Sequence, residues 1–157
     1  MIITKVADRP KTRLRVWGRS DIVICTTGTV RLAMAGATPY VLFADPSQSN
    51  KFSIMKYDGF NWAYYGPPGF TSGTGSLATL KAYDGSLFVT YASSSSNGTI
   101  SVKQLPASAG EWIDLGPVTA DLATNFLTMD IFGGKMYLAF QDSSCAGGAK
   151  GSVMVLR

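Results

Sequence analysis

Two stretches of the sequence share one pattern: Trp62-Ala63-Tyr64-Tyr65-Gly66-Pro67 and Trp112-Ile113-Asp114-Leu115-Gly116-Pro117. A third tryptophan, Trp17, lies 45 residues before the first of these, and the two stretches lie 50 residues apart. A leucine stands 15 residues after each tryptophan, at Leu32, Leu77 and Leu127. Self-similarity at a fixed period of about 20–50 residues is the signature of a repeat architecture. We therefore expect one structural unit that recurs about every 48 residues.

Each unit divides into four short runs that favour β-structure. The runs are rich in Val, Ile, Tyr, Phe, Thr and Trp, which suit a pleated, half-buried surface. Asp58-Gly59 and Asp84-Gly85 separate runs and supply the positive φ that a tight hairpin turn needs. Helical spacing of apolar residues does not persist beyond two turns anywhere. A unit of this length with four antiparallel strands is typical of a propeller blade, so the predicted fold class is an all-β propeller.

The number of units predicts how the ring closes. First strands should begin near Val30, Ser76 and Phe126, which gives blades at roughly 12–66, 67–116 and 117–157 in one domain spanning 1–157. The last repeat stops after its third strand, whereas residues 12–17 read as an orphan fourth strand that closes a blade. Propellers have about four to eight blades. We expect a homodimer that forms one six-bladed ring; the alternative is a fragment of a longer propeller.

Two further segments carry a family resemblance. Tyr57-Asp58-Gly59-Phe60-Asn61-Trp62 resembles the Tyr-Asp…Trp segment of kelch repeats, and Gly133-Gly134-Lys135-Met136-Tyr137 resembles their Gly-Gly-x-x-Tyr opening. The glycine pair that kelch units carry after the second strand is replaced in all three repeats. The chain is closer to the kelch-like repeats of bacterial surface and secreted proteins, over residues 12–157. This resemblance implies a propeller and a surface or secreted location, although the N-terminus has no apolar signal-peptide core.

The composition weighs against common catalytic chemistry. The 157 residues include no His and one Glu, Glu111, and 15% of them are charged. The commonest general base and metal ligand is therefore missing, and so are Ser-His and Cys-His nucleophiles. Cys25 and Cys145 form no metal-binding pattern, and no loop alternates Asp and Asn as calcium requires. We expect no metal and no cofactor, and no apolar stretch is long enough for a membrane helix.

Aromatic side chains are the predicted ligand-binding residues, because their faces stack on sugar rings. The set is Trp62, Tyr64, Tyr65, Phe70 and Trp112. The competing interpretation is that a tryptophan at a fixed blade position packs between blades. Tyr64 and Tyr65 should point to opposite faces of one strand, which leaves at least one of them exposed.

Basic residues are concentrated near the N-terminus, where seven of the 14 Lys and Arg fall within the first 31 positions. This pattern indicates either a contact with an anionic polymer or an edge strand kept soluble by charge. We favour the edge strand and therefore expect no nucleic-acid partner.

The functional prediction is a non-catalytic binding or scaffold module that binds carbohydrate or protein, and hence no enzyme. The alternatives are a hydrolase that uses Asp and Tyr in the central channel of the ring, or a propeller fragment without a ligand. An enzyme needs one asymmetric cluster of polar residues, whereas a lectin-like module repeats its site in each blade. The sequence shows repeated aromatics, which favours the module.

Overall fold

The computed structural model describes residues 28–93, 98–107, 110–118, 124–142 and 150–157. Within these ranges the chain forms eleven β-strands and one short 3-10 helix. The strands are β1 (Val30–Ala35), β2 (Thr38–Asp45), β3 (Lys51–Tyr57), β4 (Trp62–Tyr64), β5 (Gly75–Tyr83), β6 (Ser86–Ser93), β7 (Ile100–Leu105), β8 (Ile113–Pro117), β9 (Thr124–Phe132), β10 (Lys135–Asp142) and β11 (Lys150–Leu156). The 3-10 helix spans Pro46–Gln48.

The strands form three antiparallel sheets in which chain neighbours pair. The first sheet has the order β1-β2-β3-β4 and the second β5-β6-β7-β8, while β9, β10 and β11 form the third. The predicted all-β fold built from repeated antiparallel units is confirmed. The first strands begin at Val30, Gly75 and Thr124, close to the predicted positions.

Glycine turns close two of the hairpins. Asp84 and Gly85 join β5 to β6 with φ values of 47° and 73°, and Gly133 and Gly134 join β9 to β10 with 58° and 72°. Two successive left-handed residues match the right-handed twist of the flanking strands, which is why Asp-Gly and Gly-Gly suit these turns.

Side chains that alternate along the strands bury both faces of the second sheet. On one face, Leu80 and Val89 pack with Leu42 and Ile54 of the first sheet. On the other face, Ile100 and Val102 pack with the third sheet in a second apolar cluster. That cluster also contains Leu127, Met129, Met136, Leu138 and Phe140. The first and third sheets therefore each contribute one face to these two cores.

Several predicted features lie outside the described residues. These are the fourth strand predicted at residues 12–17, Trp17, Cys25, Cys145 and the basic cluster apart from Arg31. The third sheet has three strands in the part of the chain that the structure describes. In that same part, no helix has the length and apolar character to cross a membrane.

Candidate functional site at the inner edge of the sheets

The first strands of the three sheets lie side by side. β1 contacts β5, and β5 contacts β9, although each is hydrogen-bonded only within its own sheet. Sheets whose first strands converge in this way radiate from a common line, as the blades of a propeller do. We call the surface formed by β1, β5 and β9 the inner edge.

Strand pairing shows which inner-edge positions are equivalent in the three sheets. At the upper level, each first-strand residue pairs with the corresponding residue of the second strand: Arg31 with Leu42, Thr79 with Thr90, and Thr128 with Ala139. Two residues further on, at the lower level, the pairs are Ala33 with Tyr40, Lys81 with Phe88, and Asp130 with Tyr137. The upper level therefore holds one arginine and two threonines, and the lower level holds an alanine, a lysine and an aspartate. At these positions the three sheets have the same strand pairing but different side chains.

An ion pair links two of these strands. The Lys81 ammonium lies 3.2 Å from an Asp130 carboxylate oxygen, and the two side chains remain 42% and 75% exposed. The hydrogen bond from Lys81 lowers the pKa of Asp130, with further help from the Ile131 backbone N–H and the positive charge of Lys81. Asp130 is therefore ionised at neutral pH and faces solvent.

A cavity of about 530 Å³ lies beside this pair. Its lining residues are Arg31, Leu77, Asn125, Phe126, Leu127, Thr128, Ala139, Phe140, Gln141 and Gly151. A smaller concavity shares Thr128 and Ala139 with it and contains Lys81, Asp130 and Tyr137. The two form a groove along β9, which we call the β9 groove. Arg31 lies at one end of the groove, and the ion pair between Lys81 and Asp130 lies at the other end. The Arg31 Nη1 donates a hydrogen bond to the Val30 carbonyl at 2.9 Å.

Three of the predicted aromatic residues pack against the core between the first two sheets. Phe70 stacks on Trp112 with ring centroids 4.0 Å apart and planes at 21°. Tyr65 meets Tyr40 edge to face at 5.1 Å. These contacts place Tyr65, Phe70 and Trp112 in the packing between blades.

The other two predicted residues lie apart from that group. Trp62 packs on Tyr57, with ring centroids 5.3 Å apart, because the two residues pair across β3 and β4. Tyr64 is 46% exposed, and its hydroxyl donates to Asp45 at 2.9 Å. The ligand-binding role of all five aromatic residues stays a prediction.

Asp45 differs from Asp130 in exposure and in hydrogen-bond partners, although the pKa of both carboxyl groups is lowered. It is 2% exposed and also accepts hydrogen bonds from the backbone N–H and hydroxyl of Ser47, at 3.0 and 2.7 Å. Burial opposes its ionisation, but hydrogen bonds from Ser47, Ser53 and Tyr64 outweigh burial and lower its pKa. Asp45 thus holds a turn together. Among the described residues, Asp130 is the one carboxylate that lines the β9 groove, and no cluster of three metal-ligating side chains occurs.

The inner-edge cluster of Arg31, Lys81 and Asp130 was missed by the sequence prediction. A signal for it exists, because aligning the repeats on Tyr40, Phe88 and Tyr137 places Ala33, Lys81 and Asp130 at one level. A search for features that recur favours the tryptophans and the aromatic residues around Trp62 over positions at which the repeats differ.

Comparisons with known proteins place the fold. No protein-family model matches the sequence, and no curated protein matches it. A solved structure described as Bacteroides ovatus Xyloglucan PUL GH43B matches with a TM-score of 0.55 and 20% identity, over 82% of this chain and 28% of that one. A thermostable family-43 glycoside hydrolase matches with a TM-score of 0.54 and 12% identity, over 83% of this chain and 48% of that one. The chain thus spans less than half of either protein.

These likenesses support a propeller-type fold and correct two predictions. The family-43 enzymes are five-bladed propellers, and nothing specific to kelch repeats is found. The prediction of a non-catalytic binding or scaffold module is contradicted, because the matching structures are glycoside hydrolases. The prediction that the chain is no enzyme is contradicted for the same reason. The alternative of a glycan hydrolase-like propeller fits the comparisons better.

Proposed function

We propose that this chain works in a propeller that hydrolyses glycosidic bonds, with the sugar bound at the inner edge. The observation that carries the proposal is the asymmetry of that edge. Equivalent positions of the three blades hold Ala33, Lys81 and Asp130, whereas a module that repeats its binding site would repeat its residues. One polar cluster at one place is what a chemical reaction requires.

Asp130 suits the role of the ionised carboxylate. Like any aspartate whose pKa is not raised, it is charged at neutral pH, and the Lys81 ammonium lies 3.2 Å from one of its oxygens. As a general base it takes a proton from water while the water oxygen bonds to the anomeric carbon. The glycosidic C–O bond breaks in the same step, and the leaving oxygen takes a proton from a separate acid.

The separate acid must be a second carboxyl group. Glycoside hydrolysis uses two carboxyl groups about 5–9.5 Å apart, and the acid needs a raised pKa. Asp130 does not meet that need, because its pKa is lowered. The described lining of the β9 groove offers no second carboxylate. The proposal therefore requires the acid to reach the groove from outside this set of residues.

The remaining groove residues offer contacts that a sugar uses. Asn125 and Gln141 provide amide groups and Thr128 a hydroxyl for hydrogen bonds to sugar hydroxyls. Phe126 is largely exposed and provides an apolar face for a sugar ring. Arg31 adds a permanent positive charge at the end of the groove distant from Asp130.

The test is hydrolysis of a panel of plant polysaccharides that includes xyloglucan, followed by reducing-sugar release. We expect the wild-type chain to cleave at least one of them, and Asp130→Asn to lower the rate by a factor of about 10²–10⁴. Asp84→Asn is the matched control, because Asp84 lies in a hairpin turn and asparagine tolerates its positive φ. No release from any polysaccharide, or equal rates for wild type and Asp130→Asn, would overturn the proposal.

A second variant tests the role of Lys81. Lys81→Met removes the hydrogen bond and charge that lower the pKa of Asp130, so the acid limb of the pH–rate profile should move to higher pH. An unchanged acid limb would show that Asp130 is not the titrating base.

A further inference from the structure

We propose that Tyr83 is a positioning residue for Asp130. Its hydroxyl anchors the turn between β9 and β10 to the end of β5, and this anchor keeps the Lys81 ammonium at contact distance from the Asp130 carboxylate. Tyr83 therefore acts through the position of two strands and not through contact with a sugar. The consequence for catalysis rests on the hydrolase activity proposed above, whereas the effect on Asp130 itself does not.

A hydrogen bond joins the second sheet to the third where their first strands end. Tyr83 is the last residue of β5, and its hydroxyl accepts a hydrogen bond from the Gly134 backbone N–H at 3.1 Å. The two residues are 51 positions apart in the sequence. Gly134 lies within the turn, because the pairing of β9 with β10 begins at Phe132 and Lys135. Its N–H takes no part in that pairing, and Tyr83 provides the acceptor that a backbone donor requires.

This hydrogen bond lies next to the ion pair. Lys81 and Tyr83 are two residues apart on β5, so their side chains lie on the same face of the strand, about 7 Å apart along it. Asp130 precedes Gly134 by four residues. The two contacts therefore form successive bridges between β5 and the hairpin of β9 and β10.

Contacts with a defined direction matter here because β5 and β9 belong to different sheets. Neither strand is hydrogen-bonded to the other through its backbone ladder, and an apolar cluster packs between the two sheets. The hydrophobic effect is non-directional, so the offset of one strand along the other depends more on contacts that have a fixed geometry. The hydrogen bond between Tyr83 and Gly134 is one such contact.

The ion pair is too exposed to set this offset by itself. The Lys81 and Asp130 side chains are 42% and 75% exposed. An exposed ion pair contributes little, because solvent screens its charges and the lysine side chain loses freedom when it is held in one geometry. Tyr83 is half-buried and carries its hydroxyl on a rigid ring with two rotatable bonds. It is therefore the better anchor of the two bridges.

The comparison of the blades supports a role at the ion pair rather than in blade packing generally. In the first sheet, Ala33 holds the position of Lys81. Ala35 holds the position of Tyr83 in that sheet. Alanine has neither a charge nor a hydroxyl, so these positions can form neither bridge to the second sheet. The lysine and the tyrosine occur together on the sheet that packs beside Asp130.

The anchor also decides how the Asp130 carboxylate is held. Its Oδ1 lies 3.2 Å from the Lys81 ammonium and accepts a hydrogen bond from the Ile131 backbone N–H at 3.0 Å. Lys81 faces Asp130 from β5, and Tyr137 is its pairing partner on β10. The hydrogen bond from Lys81 is the largest cause of the lowered pKa of Asp130. If the two strands shift, Lys81 moves away from Oδ1, and this pKa rises.

The primary test is the pKa of Asp130 in Tyr83→Phe, measured by NMR titration of the side-chain carboxyl carbon. The variant keeps the ring and removes the hydroxyl alone. We expect the pKa of Asp130 to rise toward its ordinary value, because Lys81 is no longer held at Oδ1. Tyr57→Phe is the matched control, since the Tyr57 hydroxyl donates to the Gly59 carbonyl at 2.9 Å in a turn of the first sheet. An unchanged pKa in Tyr83→Phe, or an equal rise in the control, would overturn the proposal.

A double-mutant comparison shows whether Tyr83 acts through Lys81. Residues that act through one another have effects that do not add. In a Lys81→Met background, Tyr83→Phe should therefore leave the pKa of Asp130 where Lys81→Met has already moved it. A further rise as large as the one in the wild-type background would mean that Tyr83 acts by another route, and the positioning role would be wrong.

Hydrolysis assays separate a failure of this proposal from a failure of the proposed function. On a polysaccharide that the wild-type chain cleaves, Tyr83→Phe should lower kcat by a factor of about 10–10² with little change in KM. The acid limb of its pH–rate profile should move to higher pH. If no polysaccharide is cleaved, the hydrolase activity is refuted, while the NMR titration still decides the role of Tyr83. A normal kcat and an unmoved acid limb in Tyr83→Phe, beside an inactive Asp130→Asn, would refute the positioning role alone.

Discussion

Replacement of Asp45 by alanine should destabilise the first sheet, because this carboxylate joins the end of β2 to β4. Asp45 is 2% exposed and accepts hydrogen bonds from the Ser47 backbone N–H, the Ser47 hydroxyl and the Tyr64 hydroxyl, with Ser53 as a further hydrogen-bond partner. It also caps the 3-10 helix that follows β2. The Asp45→Ala change removes the acceptor from all of these donors at once.

The size of the effect follows from what each donor loses. A hydrogen bond to a charged group contributes about 1.5–3 kcal/mol, and losing a cap costs about 1 kcal/mol. Tyr64 is 46% exposed, so its hydroxyl can turn to water and recover part of the loss. We therefore expect Asp45→Ala to lower the free energy of unfolding by about 2–4 kcal/mol. At about 2–4 °C per kcal/mol for a chain of this size, the melting temperature should fall by roughly 5–15 °C.

The contribution of Asp45 to stability should change with pH in a definite direction. The pKa of Asp45 is lowered in the folded state, so its ionised form stabilises the fold above the unfolded pKa of about 3.9. That contribution is lost as the pH falls through the lower, folded pKa. The stability difference between wild type and Asp45→Asn should be full at pH 7 and should shrink below about pH 4.

Thermal and urea unfolding at pH 7 and at acid pH measure both effects. Tyr64→Phe removes one of these donors and should lose about 1 kcal/mol. Asp84→Asn serves as the control, since it changes a carboxylate in an exposed turn. A melting temperature for Asp45→Ala within about 1 °C of wild type, or a stability difference for Asp45→Asn that does not vary with pH, would refute the reasoning.

Three further changes test the packing. Gly66→Ala should cost more stability than Gly36→Ala in thermal melts: both positions have positive φ, but a Cβ at Gly66 would lie 2.9 Å from the buried Leu105 side chain, and one at Gly36 would meet nothing. Equal losses would refute the contact. Thr90→Val should raise the free energy of unfolding by about 1 kcal/mol, because the Thr90 hydroxyl is buried without a hydrogen-bond partner among the described residues. A lower free energy of unfolding would show that this hydroxyl does have a hydrogen-bond partner. Lys103→Met should raise the pKa of Asp114 toward its ordinary value in an NMR titration, since the Lys103 hydrogen bond lowers it; an unmoved pKa would exclude that cause.

The repeat could be predicted from the sequence because the turns and strands of each blade depend on residues that lie close together in the chain. The Asp84-Gly85 turn needs residues that accept positive φ, and alternation along β6 buries Leu87, Val89 and Tyr91 on one face. Such signals occur within a few residues of each other. Pairing with the third strand fixes where the fourth strand lies, because Trp62 at the start of β4 pairs with Tyr57 at the end of β3.

The candidate site could not be found in the same way. Lys81 and Asp130 lie 49 residues apart in the sequence and meet only because β5 and β9 converge at the inner edge. Aromatic residues were favoured because Trp62 and Trp112 recur and further aromatics surround Trp62, yet Phe70 and Trp112 stack against the core between two blades. Recurrence identifies what every blade needs for packing, whereas the proposed chemistry depends on a position where the blades differ.

The most direct test of the proposed function is a crystal structure of Asp130→Asn with an oligosaccharide that the wild-type chain cleaves. The account predicts a sugar ring in the β9 groove, with a hydroxyl within hydrogen-bond distance of Lys81 and the scissile bond beside residue 130. A sugar stacked on Trp62 or Tyr64, with the inner edge empty, would contradict it.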